Sequence, residues 1–331
     1  MKNLIVVGDL HLRDKEPYFS QWKDFMEWLY SSEYHNSDNS ILFLGDLVES
    51  IDTPHELLEL YIDYFNNRSK FEKIFILTGN HDRNLETNLL SIFRPLKKVE
   101  VIDSWVFKKI ENLNCLLLPH IEVNAYETYS NLSSTITDSI DYCFHHLEDE
   151  TEHFSNKYVD LSKLKVTNYL CGHIHTETVT KKGRYLGSPI FNSLNEKDKI
   201  PYIASIDIKT KKYTLIEVPI WVEYLMVQYP QELPIPTKKY PIYTIYDSID
   251  KEESILYYTN MAKEKGIPFY CRRVHSKSIK DDSLIIQDKE DSAQLKEKSL
   301  IDYFNEYQKL NNVSDEIATV CSQILTKVTN I

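Results

Sequence analysis

Four short turns in this sequence each place a glycine directly before side chains that can bind a metal ion or move a proton. They use four of the seven glycines in the 331-residue chain. The turns are Gly8-Asp9-Leu10-His11, Gly45-Asp46, Gly79-Asn80-His81 and Gly172-His173-Ile174-His175. A single Gly-Asp pair would be an ordinary turn. Four such turns in chain order, each after an apolar run, predict that their polar side chains act together.

The residue types indicate which metals these turns would bind. Carboxylates, imidazoles and one amide, without a thiolate, suit Mn²⁺ or Fe²⁺, and Zn²⁺ can also use them. Asp9 and His11 are two residues apart, so extended backbone points them the same way, and His173 and His175 share this spacing. A carboxylate can bridge two ions about 3.5–4 Å apart, and we assign this role to Asp46.

The turn "LTGNHDR" at residues 77–83 raises two further expectations. Glycine permits backbone conformations that other residues resist, so Gly79 is expected to let the strand end bend. Asp82 either orients His81 by a hydrogen bond or stabilises the turn, and the sequence leaves both roles open.

The elements that must position these turns alternate along the chain. Apolar runs at residues 4–7, 41–44, 74–77, 115–118 and 168–171 predict buried strands. Residues 17–30 predict an amphipathic helix, and residues 53–65 a second one with a capping box formed by Thr53 and Glu56 around Pro54. Antiparallel strands with short turns are predicted from about 176 to 218. This order indicates an α/β sheet domain that finishes in a β layer.

The composition changes after that domain. Four prolines in residues 229–241 indicate a linker or an irregular edge. A strand at 242–247, a helix at 250–265 stopped by Gly266 and a strand at 267–276 then predict a small second domain. Residues 299–310 and 314–330 predict two helices. The second helix carries an apolar stripe that we expect to pack against this chain or against a partner. The stripe consists of Ile317, Cys321, Ile324, Leu325 and Val328.

Bulk composition restricts the class of protein. The net charge of −12 argues against a general nucleic-acid or anionic-membrane binder, although a metal cluster or a local basic patch can reverse the field. The five cysteines are scattered without a CxxC pair, which indicates a reducing cytoplasm. Neither a signal peptide nor an apolar run of about 18 residues is present, so we expect a cytoplasmic protein without a membrane partner.

The series GDLHLR, GDLVE, GNHDR, an intervening histidine and GHIH resembles the calcineurin-like metallophosphoesterase superfamily over roughly residues 1–220. The resemblance implies an α/β fold: a four-layer sandwich of two mixed β-sheets flanked by helices, with a small α/β capping domain and C-terminal helices. It also implies that Asp9, His11 and His175 bind one metal, that Asn80, His173 and a further histidine bind the other, and that Asp46 bridges them. His81 would be the general acid, a task that suits imidazole, while metal-activated water attacks phosphorus.

The further histidine is one of two neighbours in "DYCFHHLEDE", His145 or His146. Strand alternation lets one of them face the metals. The family arrangement, an apolar strand with a small residue before the histidine, favours His146. The remaining histidines are interpreted as structural or surface residues: His35, His55, His120, His153 and His275.

Three features narrow the resemblance to SbcD-type nucleases, which work on DNA ends with an SMC-like coiled-coil ATPase. The segment "RYLGSPIFNSLNE" at 184–196 is similar to the segment that follows GHxH in that family. A small domain comes after the phosphoesterase part, as the capping domain does in these nucleases. Two helices end the chain at the position where these nucleases dock on the ATPase. The resemblance implies a nuclease domain at 1–222, a capping domain at 223–290 and a docking segment at 291–331. The length of the chain is similar to that of the short bacteriophage form of this subunit. A phage-encoded protein of this kind would be located in the host cytoplasm.

The resemblance implies a DNA nuclease subunit that binds two divalent ions, with Mn²⁺ as the expected metal. It would act as an exonuclease and a single-strand endonuclease in DNA end processing, recombination or repair. Its implied partners are DNA, the ATPase and a second copy of the chain. Residues 238–280 hold nine Lys or Arg and five acids, so Lys238, Lys239, Arg272 and Arg273 are candidate DNA-binding residues.

Two other functions compete with this interpretation. One is a stand-alone phosphodiesterase or phosphatase for nucleotides, and the other is a non-catalytic scaffold. Glu49 departs from the pattern, because SbcD-type nucleases commonly carry His or Asp there, and its role is left open.

Overall fold

The computed structural model describes residues 2–121, 129, 132–147, 161, 163–180, 183–247 and 251–275. The chain divides into a compact unit, Met1–Asp282, and a second one, Ser283–Ile331. The second unit lies outside the described residues, and so do the two predicted C-terminal helices.

The described chain alternates strands and helices in its first half and is mainly strands in its second. The strands are β1 (Asn3–Val7), β2 (Asn39–Phe43), β3 (Ile74–Leu77), β4 (Val99–Ile102), β5 (Val106–Ile110), β6 (Leu113–Leu118), β7 (Ile140–His145), β8 (Val166–Cys171), β9 (Thr178–Val179), β10 (Arg184–Tyr185), β11 (Tyr202–Asp207), β12 (Tyr213–Glu217), β13 (Val222–Gln228), β14 (Tyr240–Asp247) and β15 (Tyr270–His275). The helices are α1 (Tyr18–Ser31), α2 (His55–Ile62), α3 (Leu132–Thr135) and α4 (Lys251–Lys265), with a π-helix at Asp63–Arg68 and 3₁₀ turns at Leu89–Phe93 and Leu194–Glu196.

The first sheet has six strands in the order β12-β11-β1-β2-β3-β4. Strands β1 to β4 are parallel, and β11 runs antiparallel to β1. Because successive residues point to opposite faces, Ile5 and Val7 pack with α1 and α2, while Leu4 and Val6 face the second sheet. The turns after β1, β2 and β3 therefore meet at one edge of this sheet.

The second sheet also has six strands, in the order β5-β6-β7-β8-β10-β9. Strands β6, β7 and β8 are parallel, with Leu118 opposite His145 and His145 opposite Cys171. Leu117 and Phe144 pack against the inner face of the first sheet, and the other face carries a smaller cluster with Leu132 of α3. The fold is therefore α/β, with two mixed six-stranded sheets packed face to face.

A third, small sheet follows, with the parallel order β13-β14-β15. Tyr243 and Ile245 of β14 pack with Tyr258 of α4 in a core of their own. Gly266 ends α4 with a φ of 62°, as its position predicts. The strand–helix–strand order predicted beyond residue 241 is confirmed, and β13 is a further strand of the same sheet.

The small sheet is tied to the rest of its unit by polar contacts. The Tyr224 hydroxyl donates to the carbonyl oxygen of Ser193 (2.9 Å). The Lys239 ammonium contacts both carboxylate oxygens of Asp24 in α1 (2.8 and 2.7 Å), and the Tyr240 hydroxyl donates to Asp24 Oδ2 (2.8 Å). These bonds hold the third sheet beside α1 and the 193–196 turn.

The five predicted strands and both predicted helices of the first half are confirmed, but the capping box is wrong. Pro54 is the residue that precedes α2, and the Thr53 hydroxyl donates to the carbonyl oxygen of Ser50 (2.6 Å). Thr53 thus closes the preceding turn and does not cap the helix. In the part of the chain that the structure describes, no helix combines the length and apolar character needed to cross a membrane.

Candidate metal centre

The predicted ligands meet where the parallel strands of both sheets end. Asp9 and His11 follow β1, Asp46 follows β2, Asn80 and His81 follow β3, His146 follows β7, and His173 and His175 follow β8. Among the described residues, two groups place potential ligand atoms within 4.8 Å of one another: His11, Asp46 and His81, and Asp46, His146 and His173. Asp46 belongs to both groups, the position that a bridging carboxylate would take.

The first group lies around His11, which is buried. Its Nε2 is 3.6 Å from Asp46 Oδ2. The His11 ring centroid is 4.5 Å from that of His175 and 4.7 Å from that of His81. Both oxygens of Asp9 accept from the main-chain N–H of His173 (3.1 and 3.0 Å). His81 thus lies close enough to share an ion with His11, whereas the sequence assigns it to the leaving group.

The second group converges on Asn80. Its Oδ1 lies 3.0 Å from His146 Nε2 and 3.0 Å from His173 Nδ1. His146 Nε2 is also 3.2 Å from Asp46 Oδ2. The predicted members of the second metal set are therefore neighbours, and Asp46 joins them to the first set.

These contacts fit divalent cations. The carbonyl oxygen of Leu44 accepts the proton of His146 Nδ1 (2.8 Å), and Nε2 faces two acceptor oxygens, so this position must hold a positive species, either a proton on Nε2 or a metal ion. Ligand atoms around an ion with bonds near 2.1 Å are about 3 Å apart, which matches these separations. His11 Nε2 is buried and has no hydrogen-bond partner. Donor type and spacing therefore fit a pair of metal ions.

His145 and His146 point to opposite sides of the second sheet. His146 reaches the metal centre, while His145 Nε2 lies 2.9 Å from Cys171 Sγ, among Tyr169 and Tyr185 in the outer cluster. Both side chains are buried, so burial alone does not distinguish them. The geometry supports His146 as the ligand.

The backbone at the centre corrects the expectation for Gly79. Its φ is not in the left-handed region. A Cβ atom there would lie 2.0 Å from Asp46 Oδ1 and 2.4 Å from the Asp46 nitrogen, so glycine is needed for space. The left-handed conformation instead belongs to three predicted ligands, His11 (φ 43°), Asp46 (φ 48°) and His173 (φ 81°).

Asp82 holds the turn together. Its buried carboxylate accepts from the main-chain N–H groups of Gly79 (2.8 Å) and Val48 (3.3 Å). His81 is fixed by other groups: its main-chain N–H donates to Asp46 Oδ1 (2.9 Å), and its Nδ1 donates to the carbonyl oxygen of Glu49 (2.6 Å). Of the two roles left open for Asp82, the structure supports stabilisation of the turn.

Buried carboxylates make this centre favourable for positive charge. Burial opposes the charged form of His146, but Asp46 and Asp9 outweigh it and raise the pKa of His146 to about 10. Burial likewise opposes ionisation of Asp46, yet the neighbouring imidazole of His146 holds the pKa of Asp46 below its ordinary range. Burial and the charge of Asp46 raise the pKa of Asp82 to about 7. Such a field suits cation binding.

Three residues near the centre were not predicted as part of it. The Glu49 carboxylate lies against His11, the Glu196 carboxylate lies against His175, and His120 follows β6 with its N–H bonded to the carbonyl oxygen of Thr78 (2.8 Å). Burial, reinforced by His146 and His173, lowers the pKa of His120 to about 4. The sequence interpreted His120 as a structural or surface residue, and the structure places it near His146 and His173. Its place after an apolar strand, parallel to β7, is the signal that could have found it.

The four candidate DNA-binding residues lie on the third sheet and in the loop between its strands β13 and β14. Lys238 is exposed, whereas Lys239 is paired with Asp24. Arg272 and Arg273 are on β15, opposite Thr244 and Ile245 of β14, and their side chains lie outside the described part.

An α/β fold with a buried His/Asp centre at the carboxyl ends of its strands defines a metal-dependent phosphoesterase, which is a hydrolase. The family model described as calcineurin-like phosphoesterase matches residues 2–177, more than half of the chain. The chain belongs to this family.

Among solved structures, the chain is similar to a protein described as a novel archaeal phosphodiesterase, at 12% identity and a TM-score of 0.37, over 65% of this chain and 99% of that one. No curated protein matches the sequence.

Proposed function

We propose that this phosphoesterase is a DNA nuclease subunit. It hydrolyses phosphodiester bonds at DNA ends and in single-stranded regions, in end processing, recombination or repair, together with an SMC-like coiled-coil ATPase. The proposal extends the metallophosphoesterase activity to a polymeric substrate.

The main support for the proposal is a series of hydrogen bonds that connects the third sheet to the turn beside the metal centre. Tyr224 of β13 donates to the carbonyl oxygen of Ser193 (2.9 Å), and the Ser193 hydroxyl donates to Glu196 Oε1 (3.2 Å). Glu196 Oε1 lies 3.1 Å from His175 Nδ1. A second domain held this close to a phosphoesterase centre can contact a long substrate on either side of the bond that is cut.

The residues have distinct roles in this reaction. Asp9, His11 and His175 hold one ion, Asn80, His146 and His173 hold the other, and Asp46 lies between them. Mn²⁺ is proposed, because imidazole, carboxylate and amide ligands suit it. The ions would activate the attacking water and neutralise charge on the phosphate.

His81 is the proposed general acid. Since the Glu49 carbonyl oxygen accepts from Nδ1, the proton for the leaving oxygen must come from Nε2. The His81 main-chain bond to Asp46 keeps this imidazole at the edge of the centre.

The proposal assigns residues 1–222 to a four-layer nuclease domain, residues 223–290 to a capping domain and residues 291–331 to ATPase docking. A homodimer and a cytoplasmic location belong to the same proposal. Co-purification of the tagged chain with the ATPase should be lost when residues 291–331 are deleted, while Mn²⁺-dependent cleavage remains. Loss of the folded protein would instead assign that segment to the chain's own core.

The deciding experiment incubates the purified protein with end-labelled linear DNA and MnCl₂, with a small aryl phosphodiester as a parallel substrate. We expect DNA cleavage that chelator stops and that Asp46→Asn abolishes. Turnover of the small diester without DNA cleavage, in the presence and absence of the ATPase, would support the nucleotide phosphodiesterase alternative instead. Unchanged melting with and without Mn²⁺ would support a non-catalytic scaffold.

A further inference from the structure

Two carboxylates outside the predicted ligand set contact the imidazoles of the first metal group. Glu49 Oε2 lies 3.2 Å from His11 Nδ1, and Glu196 Oε1 lies 3.1 Å from His175 Nδ1. Glu196 is buried and Glu49 is partly buried. Both contacts involve the same ring nitrogen of a predicted ligand.

This arrangement settles which nitrogen is available to a metal. A carboxylate oxygen accepts hydrogen bonds, so the proton of each neutral imidazole must lie on Nδ1. Nε2 of His11 and of His175 then keeps its lone pair for an ion. A carboxylate bonded to the outer nitrogen of a metal-binding histidine also fixes the ring orientation and strengthens the nitrogen as a ligand.

The two carboxylates are themselves held in place through one further side chain. Arg13 Nη1 lies 3.4 Å from Glu49 Oε1, and Arg13 Nη2 donates to the carbonyl oxygen of Asn192 (3.3 Å). The main-chain N–H of Asn192 donates to Glu196 Oε2 (3.1 Å). A continuous path of polar contacts therefore links His11 to His175 around the outside of the centre.

Glu196 has an additional support in Lys199, which is almost fully buried and forms an ion pair with it. The Lys199 ammonium also donates to the carbonyl oxygens of Ile190 (2.6 Å) and His175 (3.3 Å). The segment from Ser188 to Lys199 thus carries a carboxylate to the centre and fixes it there.

His146 in the second group is oriented differently. Its Nδ1 donates to the main-chain carbonyl oxygen of Leu44 (2.8 Å), and the nearest carboxylate oxygen to that nitrogen, Asp9 Oδ1, is 3.4 Å away. Removing Glu49 or Glu196 leaves this contact intact. The two carboxylates should therefore act on one metal site more than on the other.

We propose that Glu49 and Glu196 are positioning residues that lock His11 and His175 for metal binding through Nε2, and that they set the affinity of the first metal site. The proposal rests on the metal roles given above. It concerns binding alone, so it can fail while DNA cleavage stands, and it can hold for another phosphoester substrate.

The test is a Mn²⁺ titration of the full-length protein by equilibrium dialysis, which resolves two binding steps, with melting curves of the metal-free protein. We expect Glu49→Ala and Glu196→Ala each to weaken one step by about 10- to 100-fold and to leave the other within about 2-fold. Glu49→Gln and Glu196→Gln keep an amide oxygen that can accept from Nδ1, so each should retain more affinity than the matching alanine variant. The paired variant Glu196→Ala with Lys199→Met removes the ion pair without leaving a buried lone charge.

Glu177→Gln is the matched control. Glu177 lies two residues after His175 but pairs with Arg184, so the substitution removes an equal charge without touching an imidazole. Equal weakening by Glu177→Gln would show a general charge effect and overturn the proposal. Unchanged binding, or equal loss in both steps, in a Glu49→Ala protein that melts normally would also overturn the proposal. Glu49→Ala decides the matter if Glu196→Ala does not fold.

Discussion

The main-chain N–H of His81 donates to Asp46 Oδ1 at 2.9 Å, so the proposed general acid and the proposed bridging carboxylate are fixed relative to each other. His81 Nδ1 is bonded to the carbonyl oxygen of Glu49 as well. These two bonds orient the imidazole from opposite ends of the residue. Substitution of His81 therefore tests whether this fixed imidazole acts as the general acid.

For His81→Asn we expect hydrolysis to fall by about 10²- to 10⁴-fold, because the proton donor is lost. Bound metal, measured by elemental analysis after dialysis against Mn²⁺, should stay at the wild-type value. His55→Asn, at the exposed start of α2, is the control. Since His81 also lies within ligand distance of His11 and Asp46, loss of one ion would identify it as a ligand instead.

For the neighbouring histidines we expect His146→Ala to bind one ion fewer than the wild type, because its Nε2 faces Asn80 and Asp46. His145→Ala should keep the wild-type metal content and lose about 1–3 kcal/mol of unfolding free energy, since its buried contact with Cys171 is removed. Metal analysis and urea unfolding measure the two effects. The reverse pattern would make His145 the ligand.

For Gly79→Ala we expect loss of metal binding or of folding, because the added methyl group would overlap the carboxylate and main chain of Asp46. Gly266→Ala is the matched control: it has a positive φ but no atom within 4 Å of the added carbon. It should cost about 1 kcal/mol and leave metal content unchanged. Normal Mn²⁺ binding by a folded Gly79→Ala protein would contradict the steric explanation.

For Tyr224→Phe we expect DNA cleavage to fall several-fold more than cleavage of a small diester, because the bond to Ser193 ties the third sheet to the turn that carries Glu196. Stability should fall by about 0.5–1.5 kcal/mol. Tyr257→Phe removes a comparable hydroxyl bond, to the carbonyl oxygen of Pro230 within the small domain, and should leave the ratio of the two activities unchanged. Equal ratios in both variants would remove the support for domain coupling.

His35 gives a prediction for pH, away from the metal centre. Its Nδ1 donates to the carbonyl oxygen of Tyr30 (2.7 Å), and its Nε2 accepts from the N–H of Lys70 (2.7 Å), an arrangement that requires a neutral ring. Burial, partly offset by the Tyr30 carbonyl, lowers the pKa of His35 in the folded protein. The unfolded chain therefore binds the proton first as the pH falls below about 6.5.

The stability contributed by His35 should accordingly be complete above about pH 6.5 and decline below it. His35→Gln should lose about 1–3 kcal/mol at neutral pH and show a smaller fall in stability between about pH 7.5 and pH 5.5 than the wild type. Urea unfolding at both values measures this, with His55→Gln as the control. Parallel pH profiles for wild type and His35→Gln would contradict the assigned neutral state.

The strands and the meeting point of the ligands could be predicted because they depend on local pattern. Apolar runs mark β1, β2, β3, β6 and β8, and the ends of parallel strands share an edge of the sheet. Alternation along the strand predicts that one of His145 and His146 faces the centre, and the family arrangement favours His146. These signals are read from a few adjacent residues.

Other features depend on contacts between distant parts of the chain. Glu49 meets His11 across 38 positions and Glu196 meets His175 across 21, so the motifs that contain these glutamates do not reveal which imidazole each one contacts. The expectation that Gly79 supplies a special backbone conformation was wrong because of another distant contact. The atoms that exclude a side chain at Gly79 belong to Asp46. His35 had no local sign of its bond to Lys70.

The left-handed backbone at His11, Asp46 and His173 has a further consequence. Each such residue costs about 1–2 kcal/mol relative to ordinary helical or extended backbone, and glycine would avoid most of that cost. The chain places metal-binding side chains there all the same, so part of its folding free energy is committed to keeping the centre assembled before an ion arrives. Glycine at these three positions would relieve the backbone strain but would supply no side chain to bind an ion.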